Sequence, residues 1–183
     1  MIRKVLLAAL CGFIGFNSDA QDVNKTQVAP TQAAQTAPAS PDNRLPCQKN
    51  TTIPSFKITQ LDTNIVFNTS AIKEGKKTAF VVFGPDCSHC RDFFRQLFVG
   101  IDTLTNIDFY LVTPIRSYLA FRNFYGDFNL DAHKNIKAAG RDLEFFAMEF
   151  FGVKQFPYII LYDEHKKLIG GFGPGPAMSE LHN

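Results

Sequence analysis

The sequence predicts an α/β sandwich, in which helices cover both faces of a mixed β-sheet. Short apolar runs alternate along the chain with segments whose apolar residues recur every three or four positions. The chain has 183 residues, 45% hydrophobic, with 19 Phe, which is enough apolar material for the core of one domain. The predicted order β-β-β-α-β-α-(β)-α-β-β-α, with a β-hairpin first, alternates enough to favour this fold class.

The first half of the domain contains a hairpin, a buried strand and a helix. Two β-like runs at 56–58 and 65–67 flank a turn-like segment at 62–64, which predicts the hairpin. The continuous apolar run 78–83 is typical of a strand buried on both faces, and Gly84 and Pro85 end it. A helix is expected next, with one apolar stripe. That stripe comprises Cys90, Phe93, Phe94, Leu97, Phe98 and Ile101.

The second half alternates in the same way. Strands are expected at 107–112, 135–139, 157–162 and 167–172, the last two forming a hairpin. Helices are expected over 117–125 and 141–151, and a short one over 176–183. Tyr118 is expected on the apolar side of the first of these helices, and Leu143 is expected to face inward from the second. Gly152 is a plausible C-cap for the helix over 141–151.

The N-terminal segments are interpreted as export and spacer sequences. Arg3 and Lys4 precede a short apolar run, and small residues at 18 and 20 fit a cleavage site, so residues 1–20 predict a signal peptide. The alternative is a retained membrane anchor. Residues 21–50, rich in Ala, Pro, Thr, Gln and Ser, predict a disordered linker before a domain over 51–183.

Charge and metal-ligand patterns exclude several functions. The formal net charge is +2 and the Lys and Arg residues are scattered, so no nucleic-acid surface is expected. His133 and His165 are isolated and no second CxxC exists, so no zinc site is expected. Residue 91 is Arg, which rules out the CxxCH pattern of haem attachment.

The cysteine count favours redox chemistry. The four cysteines are Cys11, Cys47, Cys87 and Cys90, and loss of a signal peptide would leave three. An odd number containing one CxxC pair is poor for a disulfide framework and good for a redox motif. Cys47 is interpreted as a free thiol in a mobile tether, with a resolving partner or a mixed-disulfide anchor as the alternative.

The placement of Cys87-Ser88-His89-Cys90 between a buried strand and a helix points to thiol chemistry. Unpaired N–H groups and the dipole at a helix N-terminus stabilise an anion, so Cys87 is expected to be the nucleophilic thiolate. Cys90, one turn further on, is close enough to resolve a mixed disulfide. His89 is expected to stabilise the thiolate; its alternative is an exposed surface residue.

Two segments resemble those of a known superfamily. Residues 80–90 resemble the strand and active-site turn of thioredoxin-like proteins, and residues 151–163 resemble their second signature. The similarity is greatest to the exported TlpA/ResA-like disulfide reductases of Bacteroidetes. The resemblance implies a three-layer α/β/α fold with a mixed central sheet and an N-terminal β-hairpin. It also makes Cys87 the attacking cysteine and Cys90 the resolving one.

The second signature implies a substrate-binding position. Pro157 resembles the family's cis-proline, and the backbone of Phe156 before it would pair with an extended substrate. The alternative for Pro157 is a trans proline that opens an edge strand. Val81 stands where thioredoxin has a buried Asp. His89 stands where the TlpA-type spacer has Pro, and this histidine shifts the expectation toward an isomerase or oxidant.

These observations predict thiol–disulfide exchange on exported proteins, as a reductase or isomerase in the cell envelope or periplasm. The alternative is a non-catalytic thioredoxin-like binding module with a structural Cys87–Cys90 disulfide. Peroxidase chemistry is a minor option, because Gly84 stands where a peroxidase needs Thr. Cysteine-containing exported proteins and a membrane or periplasmic electron donor are the expected partners. No cofactor or metal is expected, and we expect a monomer.

Overall fold

The computed structural model describes residues 45–173 and residue 181. The predicted signal peptide, most of the predicted linker and the short helix expected over 176–183, Leu181 apart, lie outside this part of the chain. Within the described part, no helix has the length and apolar character needed to cross a membrane.

A seven-stranded mixed sheet forms the centre of the domain. The strands are β1 (Lys57–Gln60), β2 (Val66–Asn68), β3 (Lys77–Val82), β4 (Ile107–Thr113), β5 (Ile136–Arg141), β6 (Tyr158–Tyr162) and β7 (Leu168–Phe172). Their order across the sheet is β2-β1-β5-β4-β3-β6-β7. Strands β3, β4 and β5 are parallel to one another, whereas β1 and β6 pair antiparallel to β5 and β3. The predicted hairpins β1–β2 and β6–β7 are both confirmed.

Within residues 45–173, four α-helices cover the two faces of this sheet. They are α1 (Pro46–Lys49), α2 (Ser88–Gly100), α3 (Tyr118–Asp127) and α4 (Phe146–Phe151). The buried side chains of α2 and α3 share one apolar cluster, and those of α1 and α4 share the other. The predicted three-layer α/β/α architecture with a mixed sheet and an N-terminal hairpin is therefore confirmed.

Phenylalanine fills much of both apolar layers. On the α2/α3 face the ring of Phe94 packs against five others, namely Phe83, Phe93, Phe98, Phe124 and Phe128. On the α1/α4 face Phe80 packs against Phe56, Tyr110, Phe151 and Tyr162. Each fully buried ring contributes about 1.5–3 kcal/mol of burial free energy, so these contacts hold α2 and α4 firmly on the sheet.

The helix predicted over 141–151 is wrong in its first half. Arg141 is the last residue of β5, and the Asp142 carboxylate accepts hydrogen bonds from the backbone N–H groups of Glu144 (3.3 Å) and Ala147 (2.8 Å). This aspartate turn competes with the helix, because a short side chain offers the backbone a local partner. Leu143 consequently lies in the turn and is 39% exposed instead of facing inward.

Of two smaller expectations, one is wrong and one is confirmed. Tyr118 begins α3 with 41% of its surface exposed, so it does not share the buried side of Phe121 and Phe124. Gly152 ends α4 in the left-handed region, at φ 64°, as its predicted role as a C-cap requires.

Cys47 is buried, which differs from its interpretation as a thiol in a mobile tether. It lies on α1, is 6% exposed and belongs to the apolar cluster on the α1/α4 face. The helix α1 contacts α4, and Leu168 N donates to the carbonyl of Thr51 at 2.8 Å. The last residues of the predicted linker are thus attached to the domain.

Candidate active site

The CxxC motif occupies the junction between β3 and α2. A turn closes with the hydrogen bond from Cys87 N to Gly84 O, at 3.1 Å, and Cys87 is the N-cap residue of α2. The Cys87 carbonyl accepts the first helical bond, from Arg91 N, at 3.0 Å. Cys87 is partly exposed, so its side chain remains within reach of a partner, at the end of the helix where the first N–H groups have no intrahelical acceptor.

Cys90 lies one turn into α2 and is completely buried. Gly84 N donates a hydrogen bond to its Sγ at 3.4 Å. Burial raises the pKa of the Cys90 thiol to about 12, despite the opposing effect of the Gly84 N–H, and the neighbouring Cys87 side chain raises it further through a hydrogen bond and its charge. Cys90 is therefore a protonated, protected thiol next to a partly exposed one, and the two are not bonded to each other.

Gly84 is a site residue that was predicted only to end β3 and to stand where a peroxidase needs Thr. A Cβ built on Gly84 would lie 3.3 Å from Cys87 Cβ and 3.5 Å from a ring carbon of Phe156. A side chain there would therefore push apart the motif and the loop before β6. The signal in the sequence is a glycine directly between a buried strand and the CxxC.

Phe156 and Pro157 are brought to the motif by strand pairing. Tyr158, the first residue of β6, pairs with Val82, the last residue of β3. The Phe156–Pro157 peptide bond is cis, as the resemblance implied. Phe156 is partly buried and packs against both apolar clusters. The structure thus places these two residues beside the CxxC, and their substrate-binding role stays a prediction.

His89 and Val81 are placed without polar contacts to the cysteines. His89 lies on the exposed side of the first turn of α2, and its ring makes no hydrogen bond to a described residue. Val81 is fully buried in the same apolar cluster as Cys90. No carboxylate therefore stands at this position to accept a proton from Cys90, and thiolate stabilisation by His89 stays a prediction.

Arg91 is a second residue whose position the sequence did not suggest. Its guanidinium donates to the carbonyl of Pro85 at 3.4 Å and forms an ion pair with Asp127 of α3 at 2.6 Å. It also stacks over the ring of Phe128, 5.2 Å from the centroid. Arg91 therefore links the active-site turn to α3.

Cys47 and the CxxC lie on opposite faces of the sheet. Cys47 packs in the cluster under α1 and α4, whereas Cys90 packs in the cluster under α2 and α3. A direct Cys47–Cys87 bond would need the sheet or α1 to move. In the part of the chain that the structure describes, no three His, Cys, Asp or Glu side chains are grouped as a metal site.

Comparison with known proteins gives matches of structure alone. No family model and no curated protein matches the chain. The thioredoxin domain of a thiol-disulfide oxidoreductase from Bacteroides vulgatus superposes with a TM-score of 0.57 at 17% identity, covering 72% of this chain and 96% of that one. A secreted disulfide oxidoreductase from Mycobacterium tuberculosis gives 0.56 at 14%, covering 69% and 94%.

These matches, with the strand order, decide the fold. The chain has the thioredoxin-like fold. A thiol-disulfide oxidoreductase from Bacteroides fragilis gives a further match, with a TM-score of 0.57 at 12% identity, over 70% of this chain and 95% of that one.

Proposed function

We propose that the protein catalyses thiol–disulfide exchange on cysteines of exported proteins, through Cys87 and Cys90. One observation carries the proposal: the partly exposed Cys87 occupies the N-cap position of a helix, and the buried Cys90 lies one turn behind it. The first position favours a thiolate nucleophile and the second protects the resolving group until it is needed.

The exchange proceeds in two displacements. The Cys87 thiolate attacks one sulfur of a substrate disulfide, a new S–S bond forms, and the other substrate sulfur leaves as a thiolate. Cys90 then loses its proton and attacks Cys87 Sγ, which releases the second substrate sulfur. The substrate gains an electron pair and the protein is left with a Cys87–Cys90 disulfide, which an electron donor must reduce again.

The buried state of Cys90 makes the second displacement the slower one. With its pKa raised to about 12, Cys90 is almost entirely protonated at neutral pH. Val81 offers no carboxylate to take that proton. A long-lived mixed disulfide suits an isomerase, which needs time for the substrate to rearrange, as well as a slow reductase.

Phe156, Pro157 and His89 complete the proposed site. The loop before β6 lies beside the motif, where its backbone can pair with an extended substrate segment. His89 is exposed on the first turn of α2 and can approach a bound substrate or the Cys87 thiolate.

The cellular context follows from the N-terminal sequence and the neighbours. The signal-peptide pattern and the secreted neighbour from Mycobacterium tuberculosis support export, and the two signatures support the TlpA/ResA-like branch. We infer an envelope or periplasmic location, cysteine-containing exported proteins as substrates, and an electron donor in the same compartment or its membrane.

The Cys90→Ala variant tests the exchange directly. We expect it to accumulate a mixed disulfide when mixed with a peptide containing one disulfide, since nothing resolves the bond to Cys87. Cys47→Ala is the matched control and should turn the peptide over without accumulation. If Cys90→Ala captures no peptide and the unmodified chain exchanges with no dithiol, the proposal is wrong.

The alternative function is a binding module with a structural Cys87–Cys90 disulfide. The complete burial of Cys90 favours it, because buried structural cysteines are inert. Equilibration with dithiothreitol separates the two functions. A reduction potential below about −300 mV indicates a structural bridge, and a clearly higher potential indicates a redox-active pair.

A further inference from the structure

Two loops beside the CxxC form a surface that the proposed chemistry does not use. Strands β3, β4 and β5 are parallel, so the β4–α3 and β5–α4 loops lie at the same end of the sheet as the motif. Val82 pairs with Val112 on β4, and the next residue, Thr113, pairs with Arg141 on β5. Arg141 is therefore about two strand spacings from the active-site turn, roughly 10 Å.

Arg141 is a buried cation without a carboxylate. It is 8% exposed, its Nη1 donates to the carbonyl of Arg116 at 3.1 Å, and its guanidinium lies 5.4 Å from the ring centroid of Tyr118. Its Nε is buried and has no hydrogen-bond partner. Among the described residues, no Asp or Glu forms an ion pair with it. A buried guanidinium normally has a paired anion, and the residues described here supply none to Arg141.

Arg116 is a second cation on the same surface that forms no ion pair with a carboxylate in the described ranges. It is exposed, it contacts the carbonyl of Leu143 at 3.5 Å, and it stacks over the ring of Phe145 at 5.1 Å. Phe145 has φ 58°, which is an unusual backbone conformation for a bulky residue. Such conformations cluster at functional sites, and this one positions the ring against Arg116.

Exposed apolar side chains lie on the same two loops and at the start of α3. Leu119 is 56% exposed, Tyr118 41% and Leu143 39%. We call the set of Arg116, Tyr118, Leu119, Arg141, Leu143 and Phe145 the arginine–aromatic surface. Aromatic and arginine side chains are enriched in binding surfaces, where they combine apolar contact with charge.

We propose that the arginine–aromatic surface binds acidic residues of the substrate polypeptide, near the cysteine that Cys87 attacks. This inference rests on the proposed function and names its substrate class: extended segments with Asp or Glu within a few residues of the disulfide. Neither arginine pairs with a carboxylate of the described residues, so the exposed Arg116 can pair with an anion of the substrate, and the buried charge of Arg141 adds to the positive potential there. The exposed apolar groups favour a polypeptide over a small ion. An extended chain crosses roughly 10 Å in about three residues.

The test uses two disulfide peptides that differ only in three Glu or three Gln beside the reactive cysteine. With the full chain, we expect kcat/KM for the acidic peptide to exceed that for the neutral one by about three- to tenfold. The preference should shrink toward one as salt rises from about 0.05 M to about 0.5 M, because screening weakens exposed charge pairs.

Arg116→Gln identifies the surface responsible. Because Arg116 is exposed, the variant should fold, and its acidic preference should fall about threefold while turnover of the neutral peptide is unchanged. Arg122→Gln, on the exposed side of α3, removes the same charge and should keep the preference. Equal turnover of the two peptides by the unmodified chain, or an unchanged preference in Arg116→Gln, contradicts the inference.

A binding measurement separates this inference from the exchange chemistry. Fluorescein-labelled peptides with Ser in place of Cys cannot react, and polarisation gives their Kd. The acidic peptide should bind about three- to tenfold more tightly than the neutral one, and Arg116→Gln should remove the difference. Equal Kd values overturn the inference, whereas tight acidic binding without any exchange overturns only the proposed function.

Discussion

The two faces of the sheet each hold a buried cysteine, but only one face places a cysteine at a helix end beside solvent. On the α1/α4 face, Cys47 lies in a short helix among apolar side chains. On the α2/α3 face, Cys90 is equally shielded, but it adjoins Cys87, which caps a helix of 13 residues and is partly exposed. Burial raises the pKa of both shielded thiols.

The two faces therefore differ in access to a cysteine, since both Cys47 and Cys87 lie at the start of a helix. A disulfide must reach a thiol before the thiol can attack it. Cys87 is partly exposed and Cys47 is buried, so we expect Cys87 to react and Cys47 to be protected.

The largest expected effect comes from replacing Cys87, and replacement of Cys47 on the other face gives the comparison. Cys87→Ser should abolish catalysed reduction of a peptide disulfide, a loss of at least about a thousandfold, because a serine hydroxyl is not a nucleophile at neutral pH. Cys47→Ser should keep the rate within about twofold. The release of peptide thiols, followed with a chromogenic reagent, measures both. A Cys87→Ser variant with appreciable activity would remove the basis of the comparison.

Core truncation on the two faces should separate stability from function. Phe94→Ala and Phe80→Ala each remove a fully buried ring and should each lower the free energy of unfolding by about 3–5 kcal/mol. Only Phe94 lies on the helix that carries Cys87 and Cys90, so only its variant should also slow exchange per folded molecule.

Urea unfolding and exchange rates at one temperature measure these two quantities. If either alanine variant does not fold, the matched Phe→Leu pair gives the same contrast with a smaller loss of stability. Equal rates per folded molecule in the two variants would show that the packing of α2 does not position the motif.

The sequence predicted the layers and the motif because both depend on local patterns. The run 78–83, the helical stripe after Cys87 and the two hairpins each carry their signal within about a dozen residues. The predicted start of the helix after β5 was wrong because the Asp142 side chain accepts hydrogen bonds from the N–H groups of Glu144 and Ala147. Periodicity alone does not show that these bonds compete with the helix. Cys47 was wrongly predicted to lie in a mobile tether because its burial depends on contacts with α4, about a hundred residues away.

Site residues defined by contacts across the fold could not be predicted. The bond from Gly84 N–H to Cys90 Sγ joins residues six apart, and the ion pair of Arg91 with Asp127 joins residues 36 apart. Composition and spacing carry no signal for either. The CxxC, by contrast, encodes its own geometry, because a spacing of three residues on a helix puts both sulfurs on one side.

The buried Cys90 thiol should make the stability of the reduced protein depend on alkaline pH. Its folded-state pKa of about 12 exceeds its ordinary value of 9.0, so the folded protein holds this proton more tightly than the unfolded chain does. The stability that the protonated Cys90 adds to the folded protein is complete below about pH 9 and is lost progressively as pH rises toward 12. We expect the unfolding free energy to fall less steeply over this interval in Cys90→Ala than in the unmodified protein.

The comparison between variants is needed because other groups titrate in the same range. Burial also raises the pKa of Tyr110 and of Tyr125 to about 12, and both tyrosines are present in each protein, so their effect subtracts out. Urea unfolding at pH 8, 9 and 10 gives the two slopes. Identical slopes would mean that Cys90 is less shielded than the structure indicates.

The smallest expected effect concerns the ion pair that joins the active-site helix to α3. Arg91 and Asp127 are 27% and 53% exposed, and Arg91 also stacks on Phe128, so a double-mutant cycle with Arg91→Gln and Asp127→Asn should give a coupling of about 0.5–1 kcal/mol in stability. The matched pair Arg95–Asp92 lies within α2, is 61% and 64% exposed, and should give less than about 0.5 kcal/mol. The reduction potential gives a second measurement. Arg91 also donates to the Pro85 carbonyl, so Arg91→Gln by itself should shift the reduction potential of the CxxC, whereas Arg95→Gln should not. Equal couplings, together with an unchanged potential in Arg91→Gln, would mean that the link between turn and helix is a surface contact without influence on the thiols.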